Sequence, residues 1–118
     1  MFELSVQGTF SAAHRVRGYK GDCAGMHGHT YRVEVRVAVK ELNRLGMTVD
    51  FRKVKKVLEQ NLKKLDHKNL NTLPFFKKHN ATAEWIAVYL YKEMKKKIKN
   101  IESITVWEGN ENSVTYYE

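Results

Sequence analysis

One cysteine and five histidines are spread over 118 residues, yet three of those six fall inside the seven-residue stretch CAGMHGH, Cys23–His29. His27 and His29 stand two apart around a glycine. On an extended backbone their rings project to one face, and Gly28 has no side chain to crowd the other. A strand that ends at His14, paired antiparallel with a strand that begins at His27, would set a third imidazole beside them. Three neutral imidazoles converging at about 2.0–2.1 Å make a Zn2+ site whose fourth position is open to water or substrate, the arrangement of a catalytic centre. Two other readings fit the same residues: histidines of a polar surface loop, or a closed structural site with Cys23 as fourth ligand. The second lacks the paired, closely spaced cysteines usual in structural zinc sites. With Cys23 off the metal, between Gly21 and Gly25, a nearby cation favours its thiolate and suits it to be a general base.

Two further groups have chemical potential. Asp66–His67 supplies a carboxylate and an imidazole, the parts of an oriented proton-transfer pair. A histidine that merely meets the negative end of a helix dipole would look the same. Glu108 shares strand parity with Ile104 and Val106, which turns it toward the buried side at a strand end. A carboxylate there needs a partner. It can accept two hydrogen bonds from an amidine-like edge, such as a pterin or guanine ring presents, or it can close a salt bridge.

The elements that must position these groups follow from periodicity. HTYRVEVRVAVK alternates, with Tyr31, Val33, Val35, Val37 and Val39 on one face and Arg32, Glu34 and Arg36 on the other, the mark of a long half-buried strand. FELSVQGTFSAAHRV is an earlier strand, expected to bend or bulge near Gly8. KELNRLGMTV reads as a turn into a short extended piece. Asp50 is a plausible N-cap for a helix over 51–65, whose apolar stripe is Phe51, Val54, Val57, Leu58, Leu62 and Leu65. After a polar loop with Asn69, Asn71 and Pro74, a second helix spans 82–97, burying Ile86, Tyr89, Leu90, Met94 and Ile98, with lysines at its C-terminal end. SITVWE and SVTYY are two strands joined around GNEN. The order ββααββ describes an α+β domain, an antiparallel sheet with two helices on one face.

The length suits a single domain over residues 1–118. With 42% hydrophobic and 29% charged residues and a single proline, the composition is that of a soluble globular protein without internal linkers. No apolar run reaches the length of a membrane span, so no membrane partner is expected. MFELSVQ lacks the pattern of a signal peptide, and a lone cysteine fits a reducing cytoplasm. The net charge of +8 is concentrated in lysine runs, which read first as solvated helix faces. A basic RNA-binding module is the non-enzymatic alternative, but no stacking aromatics are interleaved with the lysines, and no nucleic-acid partner is expected.

Taken together and in this order, FSAAHR, CAGMHGH, VDFRKVK, LDHKNLN, NATAEWIA and VWE resemble the 6-pyruvoyl-tetrahydropterin synthase / 6-carboxy-tetrahydropterin synthase family over nearly the whole chain. The resemblance implies the tunnelling fold (T-fold), in which ββααββ subunits join their open sheet edges into an oligomeric barrel, typically a homo-hexamer made of two trimers with active sites between subunits. It implies that His14, His27 and His29 hold Zn2+ and that Cys23 is the catalytic base. Asp66 and His67 would support it from a neighbouring chain, while Glu108 grips the pterin's amino-pyrimidine edge. The implied substrate is 7,8-dihydroneopterin triphosphate, a polyanion that excess lysine would attract.

The family has two outcomes: 6-pyruvoyltetrahydropterin, or 6-carboxytetrahydropterin with acetaldehyde on the route to 7-deazaguanine nucleosides. Three residues between Cys23 and His27 is the spacing associated with the carboxy branch; animal pyruvoyl enzymes have a longer insertion. Pterin aldolases and epimerases of the superfamily generally lack the zinc-plus-cysteine arrangement. Gly109-Asn110 follows Glu108 where many relatives have threonine first. Trp85 and Trp107 are also unusual and are expected in the core, and His79, which matches no ligand position, in a loop.

Overall fold

Alternating apolar residues make Phe2–His14 and His27–Val39 two thirteen-residue strands, β1 and β2, paired antiparallel from Phe2 opposite Val39 to His14 opposite His27. These and the remaining elements come from a computed structural model that describes residues 1–21 and 25–118; Cys23 lies outside the described residues. β4 (Ile101–Glu108) pairs antiparallel with β2, setting Glu108 opposite Tyr31, and β5 (Asn112–Tyr116) returns along β4 after a turn with Gly109 at φ 79°.

Two helices of the expected kind cover one face. α1 (Phe51–Leu62) starts at Asp50, whose carboxylate accepts the Arg52 N–H at 2.8 Å. It stops three residues before the expected end. Two further turns then carry Leu65 into the core and deliver Asp66–His67 to the sheet edge. Phe51, placed on the apolar stripe by periodicity, is 61% exposed at the first residue of the helix, where it borders clefts beside β1 rather than entering the core. α3 (Ala83–Lys95) is capped by the Thr82 hydroxyl, which accepts the Trp85 N–H. It buries Ile86, Ala87, Leu90, Tyr91 and Met94, while Tyr89 is only half-buried. The core lies between these helices and Leu4, Val6, Phe10, Tyr31, Val33, Val35, Ile104 and Val106 of the sheet.

The structure adds two elements to the expected ββααββ order. Lys68–Asn69 forms a short strand, β3, parallel to β1 at Ala12–Ala13, so the sheet has five strands in the order β3-β1-β2-β4-β5 and is mixed. Pro74–Lys78 forms the short helix α2, with proline in its first turn where no N–H is needed. KELNRLGMTV contains no strand; it is a turn organised by Asn43, whose side chain accepts the N–H groups of Leu45 and Met47.

The expected bulge at Gly8 is also absent: Gly8 stands opposite Val33 in unbroken register, and the irregularity falls between Arg36 and Val37 instead. A Cβ on Gly8 would lie 2.9 Å from Leu62 Cδ1 and 2.9 Å from Glu59 Oε1, so the glycine lets α1 settle closely onto β1.

The far face of the sheet is polar. Ser5 donates to Glu34, whose carboxylate also meets Arg36, and Thr105 bonds Thr115 at 2.7 Å. Trp107 lies on this face with the Arg32 guanidinium 4.0 Å above its ring, a cation–π contact. Trp85 is 36% exposed on α3 and stacks on His79 at 3.9 Å. Neither tryptophan is a core residue, since each falls at a position whose parity or helix phase faces away from the packed layer. Among the described residues, no helix is long and apolar enough to cross a membrane.

Candidate metal centre and active site

Antiparallel register determines the centre. Because His14 pairs with His27 and Ala12 with His29, all three imidazoles leave the sheet on the core face at one end of the β1–β2 ladder. Ligand atoms of His14, His27, His29 and Glu108 all lie within 4.8 Å of one another. His14 is 1% exposed, packed edge-on to the other two rings.

Backbone carbonyls set the tautomers. His14 Nδ1 donates to the Ala81 carbonyl in the segment before α3, and His27 Nδ1 donates to the Gly25 carbonyl at 2.7 Å. Each ring therefore presents its Nε2 lone pair inward, and the two Nε2 atoms face each other at 3.1 Å. Two lone pairs at that distance need a cation or a proton between them. His29 Nε2 is buried without a hydrogen bond of proper geometry, although Glu108 Oε1 lies 3.1 Å away. Burial holds the His29 pKa below the ordinary imidazole value; Glu108 pulls it up, His14 and His27 push it down, and the net direction is downward. An imidazole oriented through Nδ1 by a carbonyl, as His14 and His27 are, leaves Nε2 free for a metal, and with His29 Nε2 turned to the same point these residues fit Zn2+.

Asp66 and His67 form a pair. Asp66 Oδ2 is 2.9 Å from His67 Nδ1, and its Oδ1 accepts the Ser11 N–H at 2.8 Å. The Ser11 N–H first, then His67, hold the Asp66 carboxyl below its usual range. His67 has φ 58°, the left-handed region that a non-glycine residue rarely occupies, and its N–H donates to the Ser11 carbonyl at 2.6 Å. Its ring is 83% exposed, so Nε2 is available for proton exchange. His67 borders a cleft of ≈ 540 Å³ at the β1 edge, lined also by Ser11, Ala13, Gly28, Thr30 and by His29 of the cluster. Asp66–His67 is absent from the group formed by His14, His27, His29 and Glu108.

A second cleft, ≈ 330 Å³, opens beside the cluster and is lined by His14, Glu108, Tyr19, Thr82 and Glu84. Glu84 was not anticipated from the sequence as a site residue; its signal is a carboxylate in the first turn of α3. A larger cleft of ≈ 590 Å³ between β1 and α1 contains Lys55, Lys56 and Glu59 but no imidazole, so chemistry rather than size identifies the site.

Two asparagines, also missed, brace the exit of β1. Asn71 accepts the Arg15 N–H at 2.8 Å and donates to the Arg15 carbonyl at 3.1 Å; Asn80 does the same for Arg17 at 3.2 and 3.0 Å. Each side-chain amide pairs with a backbone residue as a neighbouring strand would, directly after His14.

Comparison with known proteins places these features in a family. A family model described as 6-pyruvoyl tetrahydropterin synthase matches residues 3–118. A Pyrococcus furiosus protein, dihydroneopterin monophosphate aldolase, is 36% identical over 109 residues, 90% of this chain and 89% of its own. A putative 6-carboxy-5,6,7,8-tetrahydropterin synthase of Archaeoglobus fulgidus is 31% identical over 108 residues, 92% of this chain and 89% of its own. The solved structure of Caenorhabditis elegans 6-pyruvoyl tetrahydropterin synthase superimposes with a TM-score of 0.90 at 28% identity, covering 99% of this chain and 95% of that one. With its α+β architecture and its histidine cluster at the β1–β2 end, the chain belongs to the 6-pyruvoyl tetrahydropterin synthase family.

Proposed function

We propose that the protein is a zinc-dependent lyase that converts 7,8-dihydroneopterin triphosphate and one water to 6-carboxy-5,6,7,8-tetrahydropterin, acetaldehyde and triphosphate, in 7-deazaguanine (queuosine or archaeosine) synthesis. The short Cys23–His27 spacing, leading directly into three convergent imidazoles, carries this reading. In it, residues 1–118 are one catalytic domain acting in the cytoplasm. His14, His27 and His29 hold Zn2+, which when bound supplies Lewis acidity at the substrate's side-chain hydroxyls. Cys23 takes the neighbouring carbon-bound proton. Asp66 orients His67, whose exposed Nε2 passes protons between side chain and ring. Glu108 accepts hydrogen bonds from the amino-pyrimidine edge, with the ring in the cleft beside Thr82 and Glu84. Asp66–His67, exposed at the β1 edge of the sheet, serves a neighbour's site in a homo-hexamer built from two trimers.

A specific observation favours a second reading: the aldolase relative is 36% identical, and its name describes cleavage of a pterin monophosphate. The pyruvoyl outcome, which the C. elegans structure's name describes, is a third. One assay separates them. Zinc-loaded protein is given dihydroneopterin triphosphate and, separately, dihydroneopterin monophosphate, and products are identified by mass spectrometry. The expected result is acetaldehyde with the carboxy product from the triphosphate. A pyruvoyl product with triphosphate but no acetaldehyde would assign the other branch. A phosphorylated two-carbon aldehyde from the monophosphate would assign the aldolase. No turnover, with RNA affinity that falls steeply with salt, would favour the binding module.

A further inference from the structure

A tetrahedral zinc ion with arms of about 2.0–2.1 Å has ligand atoms roughly 3.3–3.4 Å apart along every edge. Two of the six edges among four donors are already close to that figure. His14 Nε2 and His27 Nε2 are 3.1 Å apart, His29 Nε2 and Glu108 Oε1 are 3.1 Å apart, and no pair among the four exceeds 4.8 Å. Glu108 reaches this position because it is the last residue of β4 and stands opposite Tyr31, on the same face as the imidazoles. Its side chain, 29% exposed, also borders the cleft that contains Thr82 and Glu84. One carboxylate thus lies within reach of both the metal position and the neighbouring pocket.

We propose that Glu108 is a fourth metal ligand in the substrate-free protein, closing a tetrahedron of three imidazoles and one carboxylate, and that it leaves the metal when a ligand with an amidine-like edge enters the cleft. The coordination position then opens only as that ligand arrives, which keeps other anions off the metal in the resting state. The identity of the displacing ligand rests on the lyase reading above; the closed resting site does not. Cys23 has no part in it, which separates the proposal from a structural site closed by the thiol.

The test uses the full-length protein without turnover. Zinc affinity is measured by competition with a chromophoric chelator for the wild type, Glu108→Gln and Cys23→Ala. The visible spectrum of the Co2+ form is recorded for each, with and without azide. Glu108→Gln keeps the side chain's shape while removing a charged ligand. It is expected to weaken zinc binding by at least about 10–100-fold, the range already seen when only an outer-shell partner is lost. It should also change the cobalt spectrum and let azide bind. Cys23→Ala should leave affinity and spectrum unchanged. Adding a phosphate-free pterin to the wild-type cobalt protein should shift its spectrum toward the azide-accepting form.

A Glu108→Gln variant with zinc affinity within about twofold of wild type, well short of the loss expected for a ligand, and a superimposable cobalt spectrum would overturn the proposal, as would a wild-type protein that binds no metal. Loss of affinity in Cys23→Ala alone would assign the fourth position to the thiol. If Glu108→Gln behaves as expected but no pterin turnover is found, the lyase reading falls and the ligand assignment stands.

Discussion

Replacing Gly8 by alanine adds one methyl group where the sheet and α1 approach most closely. The new Cβ would meet Leu62 Cδ1 and Glu59 Oε1, each at 2.9 Å, and Leu58 Cδ2 at 3.4 Å. Glu59 is half-exposed and can swing away, but Leu62 is 1% exposed inside the core and has nowhere to go. Forcing a methyl into such packing costs about 1–3 kcal/mol. Restricting the unfolded chain returns about 0.4–1 kcal/mol. The net effect then runs from about zero to a loss of roughly 2.6 kcal/mol. For 118 residues the unfolding entropy is about 250 cal/mol/K, so Tm should fall by up to roughly 10 °C. Thermal unfolding by circular dichroism reads this, at one protein concentration because assembly shifts the midpoint. A double-mutant cycle with Leu62→Ala sharpens it: the cavity left by Leu62 should accept the new methyl, so the double variant should be less destabilised than the sum of the singles. A raised Tm for Gly8→Ala, or strict additivity in the cycle, would show that close approach of α1 does not explain the glycine.

Three other outcomes follow from the geometry. Zinc at about a hundredfold over its Kd should stabilise the folded state by about 2.7 kcal/mol, a rise in Tm of about 10 °C, and His27→Ala should abolish the rise in differential scanning fluorimetry. Glu34 is pushed upward by burial, but the Ser5 hydroxyl, Arg36 and Gln7 outweigh this and hold its pKa below the usual carboxylate value. Its contribution to stability is therefore full above about pH 4.5 and is lost as pH falls through the depressed value; urea titrations across that window should show a shallower acid loss in Glu34→Gln. Asp66→Asn keeps an acceptor for the Ser11 N–H but no longer fixes the His67 tautomer. Turnover should drop by at least about a hundredfold while zinc affinity stays the same, as read by steady-state kinetics and chelator competition.

The β1–β2 ladder and the convergence of His14 with His27 and His29 were legible in the sequence because period-two alternation fixes both face and register. The helices were legible from apolar stripes spaced three and four residues apart, with errors at their ends, where the stripe of α1 continues through Leu65 although the backbone has already left the helix. What the pattern could not show depends on partners remote in sequence. Gly8 reads as a bulge until α1 is seen above it. The two-residue β3 has no periodicity to detect. The Ala81 carbonyl that orients His14 belongs to a backbone 67 residues away. Glu108 was correctly placed on the buried parity, but its approach to His29 is a tertiary distance. Trp107 and Trp85 show the opposite failure, since size alone suggested burial where parity and helix phase pointed outward.

The asparagine braces bear on how such a site can diversify. Arg15 and Arg17 are held by the side chains of Asn71 and Asn80 rather than by another strand, and His27 is tied to the Gly25 carbonyl. The connection that carries the cysteine therefore leaves β1 from a braced segment and enters β2 through a ladder whose register pairs His14 with His27. Residues can be inserted or deleted between these anchors without sliding β1 against β2 or moving an imidazole. A change in the length of this connection would leave the paired ends of β1 and β2 in place, so the histidine cluster and the connection beside it can vary separately.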